Sequence, residues 1–257
     1  MGIVNGKRLV ITGVLNTASI AYRVAELALD EGASVMLTGF GRGLSITRRA
    51  ASKLSTEIEV VELDASSTAS VDAAVAAISA VWDRVDGVVH AIGYAPPSCL
   101  DGEMLATPWD DVATAIQVSA YSLAELARGF KPLMAAAETS SLVGLDFDAT
   151  VAWPGYNWMG VAKAAFESLS RYLARELAPI NARVNLVSAG PIRTIAAKSI
   201  DAFRTFQDEW PRRAPLGWDP LDATAVAKAV LCLASDYFPM TTGELIHVDG
   251  GYHAMGA

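Results

Sequence analysis

The stretch Arg8–Thr38, RLVITGVLNTASIAYRVAELALDEGASVMLT, decides how the chain is read. Arg8–Thr12 and Ser34–Thr38 are short β-branched, apolar runs, and Ile20–Glu31 between them carries apolar residues at helical spacing. A strand, a helix-length crossover and a second strand form a βαβ unit with parallel strands. The same alternation continues to the end of the chain. Further strands are expected at Glu57–Leu63, Gly87–His90, Ser141–Leu145, Arg183–Val187 and Glu244–Val248. Helical periodicity marks Ser67–Trp82, Trp109–Met134, Tyr156–Leu177 and Ala223–Ala234.

Several of these strands are nearly continuous in apolar residues, as parallel strands covered on both faces are. No linker, repeat or low-complexity segment interrupts the 257 residues. The expected fold is therefore α/β, a single doubly wound Rossmann-type domain with a seven-stranded parallel sheet. At 52% hydrophobic residues the chain can bury a substantial core, and its net charge of −8 disfavours nucleic acid and membrane surfaces as partners. Cys99 and Cys232 form no CxxC pair, which argues against a disulfide framework or a zinc cluster, so no metal is expected. The start, MGIVNGKRLVIT, lacks the apolar stretch and small-residue cleavage site of a secretory signal, and a cytoplasmic protein is expected.

In open α/β sheets ligands bind outside the carboxyl ends of the strands. The first βα turn, Thr12-Gly13-Val14-Leu15-Asn16-Thr17-Ala18-Ser19-Ile20, keeps one glycine of the GxGxxG dinucleotide fingerprint. Gly13 permits a tight turn, and Ser19 can donate a hydroxyl and cap the helix starting near Ile20, whose N-terminus suits a pyrophosphate. The turn reads equally as an ordinary βα connection. Past the second strand, Gly39-Phe40-Gly41-Arg42 offers no acid for a ribose 2′-hydroxyl, so NADH and NADPH both stay open; Phe40 can pack beside an adenine. Asp64, followed by Ala65, either accepts from an adenine amino group or caps the next helix. Gly93 lets backbone approach a cofactor, and His90 reads as an interior histidine.

The segment Asp146–Lys163, DFDATVAWPGYNWMGVAK, holds Tyr156 and Lys163 seven positions apart. In a helix that step is about two turns, so both side chains share a face about 10 Å apart along the axis. A phenol and an ammonium at that separation can serve two parts of one ligand.

Gly13…Ser19-Ile20, Asp64, Ala91-Ile92-Gly93, Tyr156…Lys163 and Ala189-Gly190-Pro191-Ile192-Arg193-Thr194 together resemble the short-chain dehydrogenase/reductases. The six residues between Tyr156 and Lys163, against the usual three, resemble the enoyl-acyl-carrier-protein reductase branch. Gly39-Phe40, Asp146-Phe147-Asp148, Tyr156-Asn157-Trp158-Met159 and Arg213-Ala214-Pro215-Leu216-Gly217-Trp218 resemble its mycobacterial type. The likeness runs from Gly6 to Gly251.

The resemblance implies NADH-dependent reduction of the 2,3 double bond of trans-2-enoyl thioesters, on acyl-carrier protein or coenzyme A, by a homotetramer in fatty-acid synthesis. It implies Tyr156, Lys163 and Phe147 at the reacting centre. Gly13, Ser19, Ile20, Phe40, Asp64, Ala65, Ile92, Gly93, Lys163, Gly190, Ile192 and Thr194 would meet the cofactor. Tyr156, Met159, Ile200, Phe203 and Trp210 would meet the acyl substrate, under a lid at about 195–210. That lid is shorter than in the mycobacterial enzyme, which argues against a very long acyl chain, and Ala91 stands where that enzyme has a serine. The alternatives are a related reductase acting on a carbonyl or enone in specialised metabolism, and a cofactor-binding regulatory protein without turnover.

Overall fold

Seven apolar strands pair in parallel in the order β3-β2-β1-β4-β5-β6-β7 in the computed structural model, which describes residues 2–194 and 203–256. They are β1 (Arg8–Ile11), β2 (Ser34–Gly39), β3 (Val60–Glu62), β4 (Gly87–His90), β5 (Ser140–Asp146), β6 (Ala182–Ala189) and β7 (Leu245–Val248). Eight α-helices connect them among the described residues: α1 (Ile20–Asp30), α2 (Gly41–Ala51), α3 (Thr68–Ser79), α4 (Trp109–Ile116), α5 (Ser122–Ala135), α6 (Asn157–Leu177), α7 (Phe203–Arg213) and α8 (Thr224–Ala234). The doubly wound parallel sheet expected from the sequence is the one observed.

Alternating side chains divide the core into two layers, as the two-residue period of a strand requires. Val10, Val88, Leu142, Val184 and Leu186 face a layer with Phe130 of α5 and Phe166 of α6. Leu9, Ile11, Val89, Val143 and Val187 face the other, with α1 and α8. Helices cover both faces of the sheet, which is why β4 and β6 are buried along their whole length. Arg183 is buried within β6, where its guanidinium donates to the carbonyls of Leu233, Ser235 and Phe238 at 2.8, 2.9 and 3.1 Å. It thus ties β6 to carbonyls at and beyond the end of α8.

Three expectations change in detail. β3 is shorter than the run Glu57–Leu63. α2 has no counterpart among the periodic segments. The run Trp109–Met134 is not one helix: a π-helical turn at Gln117–Tyr121 separates α4 from α5. The order of strands reverses between β1 and β4, so a crevice opens at their carboxyl ends.

Candidate active site

The crevice is a cavity of about 950 Å³. Gly13, Ser19, Ile20, Phe40, Asp64, Ala65, Ile92, Gly93, Gly190, Ile192 and Thr194 line it, together with Phe147, Tyr156, Met159 and Lys163. Residues from six loops and from α6 therefore converge on one space. Ile200 lies outside the described residues, and so does Ile195. Phe203 begins α7, its side chain not described. Trp210 is buried and does not line the cavity; it stacks on Tyr252 at 3.8 Å, and its indole donates to the carbonyl of Asp249.

Gly13 has a left-handed backbone (φ 78°), and a Cβ there would fall 1.9 Å from the carbonyl oxygen of Ala91. Only glycine fits. Gly13→Ala is expected to cost well over 1 kcal/mol of stability, read as a lowered denaturant midpoint, and to shift the turn against β4. The Ser19 hydroxyl does not cap α1; it turns back and donates to the Asn16 carbonyl at 2.6 Å. The first turn of α1 is therefore left without a side-chain cap, with Ile20 and Ala21 on the cavity wall. Gly190 has a different reason to be glycine: a Cβ would meet Trp218 at 2.7 Å and the Trp210 indole nitrogen at 2.9 Å.

Phe40 is about half exposed at the start of α2. Asp64 commits Oδ1 to Ser66, accepting from its amide at 2.9 Å and its hydroxyl at 2.6 Å. This is a local Asx turn, and the cap of α3 is instead Ser67.

Tyr156 sits immediately before α6, and Lys163 lies on its second turn. The Tyr156 ring meets Phe147 edge-on at 5.2 Å. Burial, and secondarily the nearby Asp146, push the phenol pKa far above its ordinary value, so the hydroxyl stays a donor. Lys163 is buried; its Nζ donates to the Leu145 carbonyl at 2.9 Å, lies 3.5 Å from Asp146 Oδ1 and stands over the Phe166 ring at 4.8 Å. Burial lowers its pKa, and Asp146 raises it. His90 is buried against Phe166 with Nε2 2.7 Å from the Ser122 hydroxyl. Burial and then Lys163 hold it at about 3, so it is neutral and stays interior, as the sequence suggests.

Two clasps hold this centre in place. Asn157, in a left-handed conformation (φ 34°), donates to the Asp101 carbonyl at 2.9 Å, and the Trp158 indole donates to the Met104 carbonyl at 2.9 Å. Both join the start of α6 to the loop after β4. The π-helical turn brings Ser119 to that loop, where its hydroxyl donates to the Tyr94 carbonyl (2.7 Å) and accepts from its amide (2.9 Å). Such insertions recur where a helix must re-aim a side chain at a site. Neither clasp is legible from spacing. Asp146 entered the sequence reading only through the Asp146-Phe147-Asp148 motif, just past the expected strand Ser141–Leu145.

The sequence pattern of the family described as "Enoyl-(Acyl carrier protein) reductase" matches residues 13–253. The chain is 40% identical to the enoyl-[acyl-carrier-protein] reductase [NADH] of Mycolicibacterium smegmatis, over 97% of either chain, and 38% identical to that of Mycobacterium avium, again over 97% of each. It is 36% identical to the Escherichia coli enzyme of that name, over 98% of this chain and 96% of the relative. With the fold, the cavity and this likeness along nearly its whole length, the chain belongs to the enoyl-(acyl carrier protein) reductase family of short-chain dehydrogenase/reductases.

Proposed function

We propose that the cavity reduces the 2,3 double bond of trans-2-enoyl thioesters carried on acyl-carrier protein, with NADH as reductant, in fatty-acid synthesis. The observation that carries this reading is the convergence of Tyr156, Lys163 and Phe147 on the cavity that also holds the Gly13 turn. The residues fit a dinucleotide. The left-handed Gly13 turn packs against Ala91 and lines the cavity, and α1 presents an N-terminus without a side-chain cap to a pyrophosphate.

The chemistry supplied by a bound nicotinamide is a hydride, delivered to the β-carbon. As negative charge gathers on the thioester oxygen, Tyr156 donates a hydrogen bond to it; its raised pKa keeps the proton on the phenol through the step. Lys163 would hold the ribose hydroxyls with the N–H donors that Leu145 leaves over, and brings a positive charge near the developing anion. Phe147, in contact with the Tyr156 ring, orients the thioester. Mass-spectrometric identification of the saturated thioester from a 2-enoyl substrate tests the reading; recovery of unreacted enoyl thioester from an NADH-saturated enzyme overturns it.

The acyl chain meets an aromatic wall. Phe206 lines the cavity, and Trp153 packs against Phe147, Phe206, Trp210 and Tyr252 at ring distances of 5.1, 5.6, 5.3 and 5.9 Å. Trp153 and Trp210 are each anchored by an indole hydrogen bond, to Asp148 and Asp249 carbonyls at 2.6 and 2.9 Å. Trp153→Ala is therefore expected to raise kcat/KM for a long 2-enoyl thioester relative to crotonyl-CoA by about tenfold, a few methylenes' worth of apolar contact.

The protein acts in the cytoplasm, in keeping with the free thiols Cys99 and Cys232. No helix among the described residues is long and apolar enough to cross a membrane. It works as a homotetramer. Trp109, Tyr121 and Tyr172 are each more than half exposed, on α4, the π-helical turn and α6, which adjoin one another, and exposed aromatics of this kind suit such an interface. Light scattering is expected to give four times the chain mass of 27.1 kDa.

A further inference from the structure

Asp146 closes β5 with its side chain wholly withdrawn from solvent and on the cavity lining. Neither carboxylate oxygen has a hydrogen-bond partner among the described residues. A buried carboxylate is costly unless it is paired, and the only cation within ion-pair reach among those residues is Lys163 Nζ, 3.5 Å from Oδ1. The last two residues of β5 thus grip the same amine, Leu145 through its carbonyl at 2.9 Å and Asp146 through its charge. We propose that Asp146 is a positioning residue that keeps the Lys163 ammonium charged and in place inside the buried site, so that it can bind the nicotinamide ribose. This rests on the reading of Lys163 as the ribose-binding residue.

The surroundings make Asp146 the decisive partner. Lys163 has lost its water, and desolvation alone drives an ammonium toward its neutral form. Among the opposing influences Asp146 comes first and Glu167 second. Glu167 lies one turn further along α6 and accepts a hydrogen bond from the Ala149 amide at 3.0 Å. On β4, His90 is neutral and contributes no charge of its own, and Tyr156 keeps its proton. Burial raises the Asp146 carboxyl to about 7, with Lys163 drawing it down and Glu167 pushing it up. Above that pH the carboxylate is charged and supports Lys163. Below it the support lapses, but there the higher proton concentration itself favours the charged ammonium. The effect of losing Asp146 therefore falls on the alkaline side.

NADH titration by fluorescence, on parent and Asp146→Asn between about pH 6 and pH 10, tests this. The amide keeps the shape and removes the charge. The two proteins are expected to bind NADH similarly near pH 6, whereas Asp146→Asn weakens about tenfold or more at the alkaline end, its basic limb moved about one pH unit toward neutral. Asp146→Glu, which keeps a carboxylate, is expected to retain the parent's basic limb. Parallel curves, whether coincident or offset by a constant factor, overturn the proposal, because a merely structural role has no reason to depend on pH.

If Asp146→Asn does not fold, NMR of the Lys163 side chain in the parent supplies the answer: its signals should move as Asp146 takes up its proton. Signals indifferent to that step overturn the proposal. A parent that binds no NADH removes the proposal together with the ribose reading. A parent that binds NADH with the expected pH dependence but leaves enoyl thioesters unreduced removes the reductase reading alone.

Discussion

Tyr156→Phe is expected to lower kcat by about 10²- to 10³-fold while leaving the dissociation constant of NADH unchanged. The substitution removes one oxygen from a buried ring that stays packed edge-on against Phe147. Loss of one donor preorganised at a developing oxyanion costs about 3–4 kcal/mol in the transition state. The ground state has little to lose, since the charge to be stabilised has not yet formed. Single-turnover kinetics at saturating NADH check it. The raised phenol pKa also means that activity lost on the alkaline side below about pH 10 is not the titration of Tyr156.

Lys163→Ala has the second large effect, and it falls on binding and stability together. Hydrogen bonds to a charged donor contribute about 1.5–3 kcal/mol, so NADH affinity is expected to drop roughly ten- to a hundredfold. The substitution also strands Asp146, and removing one partner of a buried ion pair costs about 3–5 kcal/mol. The sign with pH follows from the carboxyl. Its folded pKa, already raised to about 7 by burial, rises further without the ammonium. Folding then favours the protonated acid; parent and variant lose stability alike as pH rises from the unfolded carboxylate range to about 7, and the variant's added cost opens above that. The gap in melting temperature between parent and Lys163→Ala is expected to be steady from about pH 4 to about pH 6 and to widen toward about pH 8. A constant gap would mean that Asp146 and Lys163 are not coupled.

The sheet was legible because its strands carry their own signature. Apolar runs such as Gly87–His90 are bounded by turn residues and separated by helix-length segments, and the observed β4 has those limits. α2 was not, because GRGLSITRRAA buries only Thr47, Ala50 and Ala51, too small an apolar stripe to register as periodic. The π-helical turn was invisible for a related reason. One inserted residue leaves the apolar spacing of Trp109–Met134 nearly intact while turning Ser119 toward Tyr94.

At the site, backbone positions such as Gly13, Gly93 and Ile92 could be placed from motif and topology, as loop ends follow from strand ends. Side-chain partners could not. Ser19 was read as a cap and bonds Asn16 instead, a choice that depends on loop conformation. Trp210 was read as a channel residue and belongs to the aromatic layer behind Phe206, because helical spacing does not tell a lining face from a packed one. Asp146 and Lys163 lie on different elements, and only the fold brings them to 3.5 Å.

The most direct test of the central claim sets two thioesters against each other. Purified protein with NADH is given trans-2-enoyl-acyl-carrier protein in one series and 3-ketoacyl-acyl-carrier protein in another, and NADH oxidation is followed in both. Turnover of the enoyl thioester, lowered about 10²- to 10³-fold by Tyr156→Phe and absent with the ketoacyl thioester, is the predicted result. Turnover of the ketoacyl thioester alone would contradict it and make the Tyr156–Lys163 pair the centre of a carbonyl reductase.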